Sequence, residues 1–170
     1  DEPRVLATFD LLKEISENRY AIRLTSLFRP LIKDAITLTG ADEKDLAQDP
    51  IFIQEGWIST GYLNIGFTFT QKKESETPHT LNLVLDDTQP SDTLRFTLRH
   101  NGAGEGLANE GDKNEYKYGT GFACFKIESM MPEGKTEIPV TITAPWYEIV
   151  GDGILTGKTV IVKNETVYKK

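Results

Sequence analysis

The first residues to consider are a cysteine and a histidine, because a thiol beside an imidazole is a pair that can act as a nucleophile and its base. Cys124 lies in the run Phe122-Ala123-Cys124-Phe125, and His100 follows the alternating run at 94–99. A small residue inside an apolar run is ordinarily a buried strand residue, and free cysteines are among the most buried side chains. We therefore expect Cys124 to be structural, and the sequence predicts no catalytic residue.

The two histidines could instead bind a metal. His79 stands at the start of one predicted strand and His100 at the end of the next. Such ends can lie side by side in an antiparallel pair. No third ligand stands at zinc-like spacing, so a structural role is the stronger interpretation. The sequence predicts no metal site and no cofactor.

Three carboxylates crowd a single turn and offer the oxygen ligands that calcium prefers. They are Asp86, Asp87 and Asp92. The twelve-residue calcium loop needs Gly at its sixth position and Glu at its twelfth, and neither is present. Solvation of a loop by acidic side chains is the simpler interpretation, and calcium binding by residues 86–92 stays open.

Aromatic side chains provide the candidates for a binding surface, because they combine a large contact area with a polar group. The predicted set is Tyr116, Tyr118, Trp146 and Tyr147. Tyr116 and Tyr118 lie in or beside a Gly-rich, charged stretch at 101–120, which is longer than an ordinary loop. The alternative for Trp146 is that it fills the core.

A sheet must position these side chains, and its clearest strand covers residues 63–69. Apolar residues there alternate with Asn64, Gly66 and Thr68, which is the period of a half-buried strand. Residues 51–58 form a second run that favours a strand. Residues 59–61 supply a turn between them, with Gly61 available for a positive φ. The sequence therefore predicts a β-hairpin.

Further alternating runs predict strands at 5–9, 20–24, 81–85, 94–98, 122–127 and 138–143, and a closing hairpin at 160–168 with its turn at 163–165. Pro30 interrupts residues 25–39, so we expect an irregular link that enters a strand near Ile36. Asp42 as N-cap and the acidic residues after it predict one short helix at 42–48, ended before Pro50. Many short strands without βαβ alternation predict an all-β, antiparallel β-sandwich.

Composition excludes several classes of protein. The 26 acidic and 19 basic residues give a formal charge of −7, which argues against a nucleic-acid partner. One cysteine excludes an intrachain disulfide. No apolar run is long enough to predict a membrane-spanning helix. Asp1-Glu2-Pro3 does not look like a native start, so we expect the chain to be the trimmed remainder of a longer precursor.

Four segments carry a resemblance to a known family. They are Asp49-Pro50-Ile51, Gly61-Tyr62-Leu63-Asn64-Ile65, His79-Thr80-Leu81-Asn82-Leu83-Val84 and Leu94-Arg95-Phe96-Thr97-Leu98-Arg99-His100-Asn101. The pattern resembles the NigD-like family of Bacteroidetes envelope proteins over residues 4–143. The resemblance implies an OB-like N-terminal domain, a C-terminal β-sandwich, a lipoprotein signal upstream and no established biochemical activity. Some members of that family sit in a bacteriocin-associated operon.

The resemblance also divides the chain. Residues 1–48 would be a partial OB-like region that includes the short helix, and residues 49–170 would be the C-terminal β-sandwich domain. An OB barrel needs about five strands, which is more than residues 1–40 can supply. A strand borrowed from a partner is one way to complete it, and an open sheet edge would favour such an addition.

Two functions from different classes follow. The first is the non-catalytic ectodomain of a cell-envelope lipoprotein that binds an unknown protein or glycan, with an immunity or assembly partner of a bacteriocin as one form of it. We expect an outer-membrane location through a lipid anchor upstream of this chain. The alternative is an enzyme acting on envelope glycans, which would need two carboxylates about 5–10 Å apart in a cleft. No cleft-forming motif flanks any acidic residue, so we favour the first.

Overall fold

Strands make up most of the protein. The computed structural model describes residues 4–88, 92–106, 115–151 and 154–169. The strands in these residues are β1 (Leu6–Ser16), β2 (Arg19–Phe28), β3 (Leu31–Asp34), β4 (Ile36–Thr37), β5 (Ile51–Ser59), β6 (Tyr62–Lys72), β7 (Thr80–Leu85), β8 (Leu94–Asn101), β9 (Tyr116–Lys126), β10 (Glu137–Val150) and β11 (Ile154–Lys169).

Two larger sheets form a β-sandwich, which confirms the predicted fold class. One sheet has the order β11-β10-β8-β7-β4 and the other has the order β3-β9-β6-β5, while β1 and β2 form a separate two-stranded sheet. Most neighbours are antiparallel. Three pairs are parallel, namely β8 with β10, β3 with β9, and β4 with β7. Alternation assigns a residue to a face and not to a neighbour, so it could not predict these three pairings.

The predicted hairpin is confirmed as β5 and β6. Ser59 pairs with Tyr62, so the loop has two residues. Thr60 and Gly61 in that loop have φ values of 47° and 78°. Positive φ at both positions is the backbone of a type I′ turn, whose twist matches that of the strands it joins.

The core lies between the two larger sheets and takes side chains from both. Leu63 and Ile65 of β6 and Leu98 of β8 are fully buried. Burying one such side chain stabilises the fold by about 1.5–3 kcal/mol. The other fully buried large side chains include Phe96, Phe125, Ile51, Leu83, Ile127, Ile138, Ile142 and Val140.

The helix predicted at 42–48 is only a 3₁₀ turn, Glu43–Leu46. The backbone N–H of Asp45 donates to the carbonyl of Asp42, the predicted N-cap of the helix. Three residues after the turn, the N–H of Asp49 donates to the carbonyl of His100. The chain is already bound to β8 at that point, so a longer helix has no room.

The closing hairpin predicted at 160–168 is wrong. β11 continues through residues 163–165 and pairs with β10 from Lys169 opposite Glu137 to Ile154 opposite Val150. Lys163 and Glu165 stand opposite Thr143 and Thr141. The two charged residues of the tripeptide therefore stand opposite threonines within a continuous strand, and Asn164 stands opposite Ile142.

The loop predicted at 101–120 is shorter than expected, because β9 begins at Tyr116. Gly119 lies within the predicted loop and Gly121 directly follows it, and the two pair with Phe69 and Phe67 of β6. A Cβ built on Gly119 would lie 2.5 Å from the Phe69 ring. The glycines leave room for these rings. Residues 107–114 of the predicted loop lie outside the described residues.

The predicted link at 25–39 contains the end of β2 and two further strands, β3 and β4. β3 joins β9 in the four-stranded sheet, and β4, the strand expected near Ile36, joins β7 in the five-stranded sheet. The chain crosses from one sheet to the other at Ala35. Strands on both sides of the predicted boundary at residues 48 and 49 thus contribute to the sandwich sheets, and the proposed division into two domains stays a prediction.

Candidate functional site

Three of the four predicted aromatic residues meet in a second apolar cluster. Trp146, Tyr147 and Leu155 are buried there, and Tyr116 packs against them. The ring centroids of Trp146 and Tyr147 lie 5.0 Å apart. Trp146 also contacts Phe52 of β5, at 5.6 Å between centroids. The cluster joins the C-terminal half of β10 to the four-stranded sheet.

Tyr118 is the member of the predicted set that presents its ring to solvent, with 62% of the residue exposed. It stands opposite Thr70 in the β6–β9 ladder, and the Thr70 hydroxyl lies 2.9 Å from that of Tyr147. The structure thus places the predicted residues in one region, with Tyr118 exposed and Trp146 and Tyr147 buried. Ligand binding by this set stays a prediction.

A larger exposed apolar surface lies on the β1–β2 sheet, which we call the ribbon (residues 6–28). Phe9 pairs with Leu24 and Leu11 pairs with Ile22 across the two strands. These four residues are 49–62% exposed. Leu12, Ile15, Tyr20, Leu27 and Phe28 extend the exposed apolar surface along the ribbon. Sequence analysis predicted strands at 5–9 and 20–24 but missed their exposure, because alternation does not show whether a face is covered.

Among the described residues, a ring contact joins the ribbon to the sandwich near its base. Phe28 contacts Phe122 of β9 at 6.2 Å between ring centroids, and Trp57 of β5 contacts the same ring at 6.4 Å. The Arg4 guanidinium lies 4.1 Å from the Tyr62 ring centroid and donates to the Thr60 hydroxyl at 2.7 Å. These contacts hold the base against the sandwich, and the apolar side chains farther along the ribbon are exposed.

Both long edges of the ribbon are free of other strands in the described parts of the chain. β1 and β2 pair with each other, and no third strand is hydrogen-bonded to either. The outward N–H and C=O groups of these edges can accept another strand.

The two histidines lie together, as the strand ends predicted. His79 Nδ1 is 3.0 Å from His100 Nε2, and His100 Nδ1 is 3.1 Å from the Pro50 carbonyl oxygen. His79 Nε2 lies 3.5 Å from a carboxylate oxygen of Glu105. Burial, and then the charge of His79, lower the pKa of His100. Among the described residues, no three His, Cys, Asp or Glu side chains are placed to hold a metal ion together.

Glu105 is a buried residue that sequence analysis did not identify. It is 6% exposed, and its carboxylate accepts hydrogen bonds from the Ser75 hydroxyl and from the Lys72 N–H. The hydrogen bond from Ser75 is the main cause of its lowered pKa. The Gly-rich stretch around it gave no sign of a buried charge.

Cys124 is buried, with 7% of the residue exposed, beside a small cavity at the base of the ribbon. The cavity has a volume of about 170 Å³, and Trp57 and Asn64 also line it. Both ring nitrogens of His100 are engaged with His79 and Pro50. The imidazole considered as a base for this thiol is therefore already occupied.

The three acidic residues of the turn at 86–92 have separate partners. Asp86 accepts from Thr88, Asp87 accepts from Thr39, and Asp92 pairs with Lys135 at 3.3 Å. These hydrogen bonds to threonine lower the pKa of Asp86 and of Asp87. Residues 89–91 lie outside the described part, and calcium binding stays untested.

The family model described as the NigD-like C-terminal beta sandwich domain matches residues 34–149. The chain belongs to the NigD-like family. The match begins within β3 and ends within β10, so it includes the hairpin, the two histidines and most of both sandwich sheets.

Solved structures of longer chains share this NigD-like fold. A NigD-like immunity protein from Bacteroides caccae is 16% identical and has a TM-score of 0.66, and the alignment covers 98% of this chain and 76% of that one. A protein of unknown function from Bacteroides vulgatus is 19% identical with a TM-score of 0.61, covering 99% and 71%. A candidate lipoprotein from Bacteroides fragilis is 16% identical with a TM-score of 0.61, covering 95% and 80%.

At these identities the likeness shows the fold alone. A search of curated proteins finds no match to this NigD-like chain. Among the helices of the described residues, none is long and apolar enough to cross a bilayer.

Proposed function

We propose that this NigD-like chain is a non-catalytic module that binds a partner protein of the cell envelope through its ribbon. The observation that carries the proposal is the apolar stripe of Phe9, Leu11, Ile22 and Leu24, whose members are 49–62% exposed. Exposed contiguous apolar surface on a folded protein marks an interaction site. A two-stranded sheet is at best marginally stable by itself, so a covering partner would also stabilise the ribbon.

A polypeptide fits this surface better than a glycan does. The stripe is mainly aliphatic, and it lies between two strand edges with unpaired backbone groups in the described chain. A partner strand can satisfy those groups while its alternate side chains cover the stripe. We therefore propose strand addition by a partner protein as the mode of binding.

The geometry of the polar residues favours binding over catalysis. Both ring nitrogens of His100 are engaged, so this imidazole is not available as a base for Cys124. The buried carboxylate of Glu105 already accepts hydrogen bonds from Ser75 and Lys72. A glycosidase needs two carboxylates that flank a bound sugar. The acidic turn at 86–92 instead engages its carboxylates with separate partners on the protein.

The relatives support an envelope location. One of the similar structures is a candidate lipoprotein and another is a NigD-like immunity protein. We propose that this chain is likewise the ectodomain of a lipoprotein, held at the outer membrane through a lipid upstream of it, and that a bacteriocin system is one setting for its partner. The charge of −7 argues against nucleic acid as that partner.

Site-specific photo-crosslinking in the native envelope tests the proposal. A photoreactive phenylalanine analogue replaces Ile22 on the ribbon, and a control carries it at Thr120, which is exposed on β9. A discrete protein adduct at Ile22, absent at Thr120, identifies the partner. The proposal fails if Ile22 gives no adduct beyond the control.

The captured protein is then purified and its affinity for the wild-type chain is measured by calorimetry. Leu11→Glu places a charge in the stripe and should weaken binding at least about tenfold, which is 1.4 kcal/mol. Thr120→Glu adds the same charge away from the ribbon and should leave the affinity unchanged. Equal effects of the two substitutions would contradict docking at the ribbon.

Glycan binding is a second candidate, favoured by the exposed ring of Tyr118. A ligand that binds the folded state raises the melting temperature. Host and bacterial glycans are therefore added to the wild-type chain and to Tyr118→Ala. A rise that depends on Tyr118 would establish a glycan site, and the absence of any rise would leave the protein partner as the proposal.

A further inference from the structure

A series of polar groups connects the residue before β5 to the segment that follows β8, through hydrogen bonds and one ion-pair contact. It begins at the Pro50 carbonyl, passes through His100 and His79, and ends at the Glu105 carboxylate. The side chains of His79 and Glu105 are each only 8% exposed. The Phe69 ring packs against both imidazoles, at 4.9 Å and 5.5 Å between centroids.

The hydrogen on each ring nitrogen in this series can be assigned in turn, starting from Pro50. A carbonyl oxygen only accepts, so His100 Nδ1 must carry the hydrogen that it donates to Pro50. A neutral His100 then has a lone pair at Nε2, and His79 Nδ1 must donate to it. A neutral His79 with hydrogen on Nδ1 would point its Nε2 lone pair at Glu105, which is repulsive. A hydrogen on both nitrogens of His79 removes this conflict.

We propose that His79 is held as an imidazolium against the Glu105 carboxylate, and that this buried ion pair is a proton-dependent latch. When the proton leaves, Glu105 remains as a buried charge without its cation, which is unfavourable in a site of low dielectric constant. Loss of the proton therefore releases the segment that carries Glu105. The latch does not depend on what the ribbon binds.

The neighbours of the pair favour a proton on His79 and not on Glu105. Hydrogen bonds from Ser75 and the Lys72 N–H lower the pKa of Glu105, which keeps the carboxylate ionised. Burial and the charge of His79 lower the pKa of His100, which keeps that ring neutral. The same proton arrangement follows from the hydrogen-bond donors and from these neighbouring charges.

Among the described residues, the other groups around the latch come from the segment before β5 and from β6. Asp49, from the segment before β5, faces His100 and accepts the Gly102 N–H at 2.7 Å. β6 contributes the neutral ring of Phe69 and the backbone of Lys72. Glu105 is therefore the charged group against His79, and Asp49 is the further carboxylate near His100.

The latch joins two connections at one end of the sandwich. Ser75 and His79 belong to the connection from β6 to β7, and Glu105 belongs to the segment after β8. That segment leads along the chain to β9, which carries the exposed Tyr118. Proton binding at His79 thus controls how firmly the start of this connection is held.

Nuclear magnetic resonance can test the protonation state directly, because the chain has only two histidines. Long-range ¹H–¹⁵N spectra distinguish an imidazolium from each neutral tautomer, and His79→Gln assigns the two signals by elimination. At about pH 7, where a free imidazole is mostly neutral, wild-type His79 should show the imidazolium pattern and His100 the neutral Nδ1–H pattern. A neutral His79 at that pH would overturn the proposal.

Glu105→Gln is the matched variant, since its amide keeps the shape and can donate to a neutral His79. His79 should become neutral at about pH 7 in this variant. An imidazolium that persists would show that Glu105 does not hold the proton, which also overturns the proposal.

Amide exchange tests the release itself. After correction for intrinsic exchange rates, the Gly102 and Glu105 amides of the wild type should exchange at least about tenfold faster once His79 has lost its proton. The Leu98 amide in β8 serves as the control, and the effect should be absent in Glu105→Gln. Unchanged protection of Gly102 and Glu105 would show that the pair is not a latch.

Discussion

The hydroxyl groups of Tyr147 and Thr70 are hydrogen-bonded at 2.9 Å, although the two residues are 77 positions apart in sequence. Tyr147 is 1% exposed and Thr70 is 5% exposed. Buried hydroxyls need partners, so each group satisfies the other where the end of β10 meets β6. The contact fixes the four-stranded sheet against the long strand of the five-stranded sheet.

Tyr147→Phe should destabilise the fold by about 1–2 kcal/mol, because it leaves the buried Thr70 hydroxyl without this partner. The free energy of unfolding is measured by urea titration. Thr70→Val supplies the other single variant, and the double variant should be less destabilised than the sum of the two. Additive effects would show that the two hydroxyls do not stabilise each other.

The same leucine-to-alanine substitution can be made at an exposed position, Leu11, and at a buried position, Leu98. Leu11 in the ribbon is 62% exposed, and Leu98 in β8 is fully buried. Leu98→Ala should cost about 2–5 kcal/mol through lost burial and the cavity left behind. Leu11→Ala should stay within about 0.5 kcal/mol. Urea titration of both variants checks this, and a large loss at Leu11 would mean that the stripe is covered in the isolated chain.

The sequence was sufficient to predict elements whose faces differ in polarity. The β5–β6 hairpin combined clean alternation with a turn that needs positive φ, and both features are local. The meeting of His79 and His100 followed from the antiparallel order of β7 and β8. In each case the deciding information lies in neighbouring residues or in one short connection.

The features that sequence analysis did not predict depend on contacts with distant parts of the chain. Lys163 and Glu165 suggested a turn, but the threonines opposite them in β10 allow β11 to continue. Glu105 becomes significant only when a connection places it beside His79. The exposure of the ribbon could not be predicted for the same reason. The alternating pattern around Leu11 is the same whether or not another part of the protein covers that face.

Gly119 should tolerate a side chain poorly. A Cβ there would lie 2.5 Å from the ring of Phe69, so the ring must move. We expect Gly119→Ala to destabilise the fold by about 1–3 kcal/mol, as overpacking does elsewhere. Thr120→Ala changes the exposed neighbouring residue and should have a small effect. Similar unfolding free energies for the two variants would contradict the packing of Phe69 over the glycine.

Acid should destabilise the protein through His100. Burial and the charge of His79 lower the pKa of His100 from its ordinary value of 6.5. Between that value and the lower folded pKa, the unfolded chain binds a proton that the folded chain does not. The contribution of His100 to the free energy of unfolding is therefore fully present above about pH 6.5. It declines as the pH falls below that value and is lost once the pH has passed below the pKa of His100 in the folded protein.

Urea titrations between about pH 7.5 and pH 5.5 measure this decline as the difference in unfolding free energy between the wild type and His100→Gln, because both proteins contain His79 and Glu105 and the range lies above the ordinary carboxylate pKa values. His100→Gln should be less stable at neutral pH and should lose less stability on acidification than the wild type. If His100→Gln declines as steeply as the wild type, another group must bind the proton, because glutamine does not titrate.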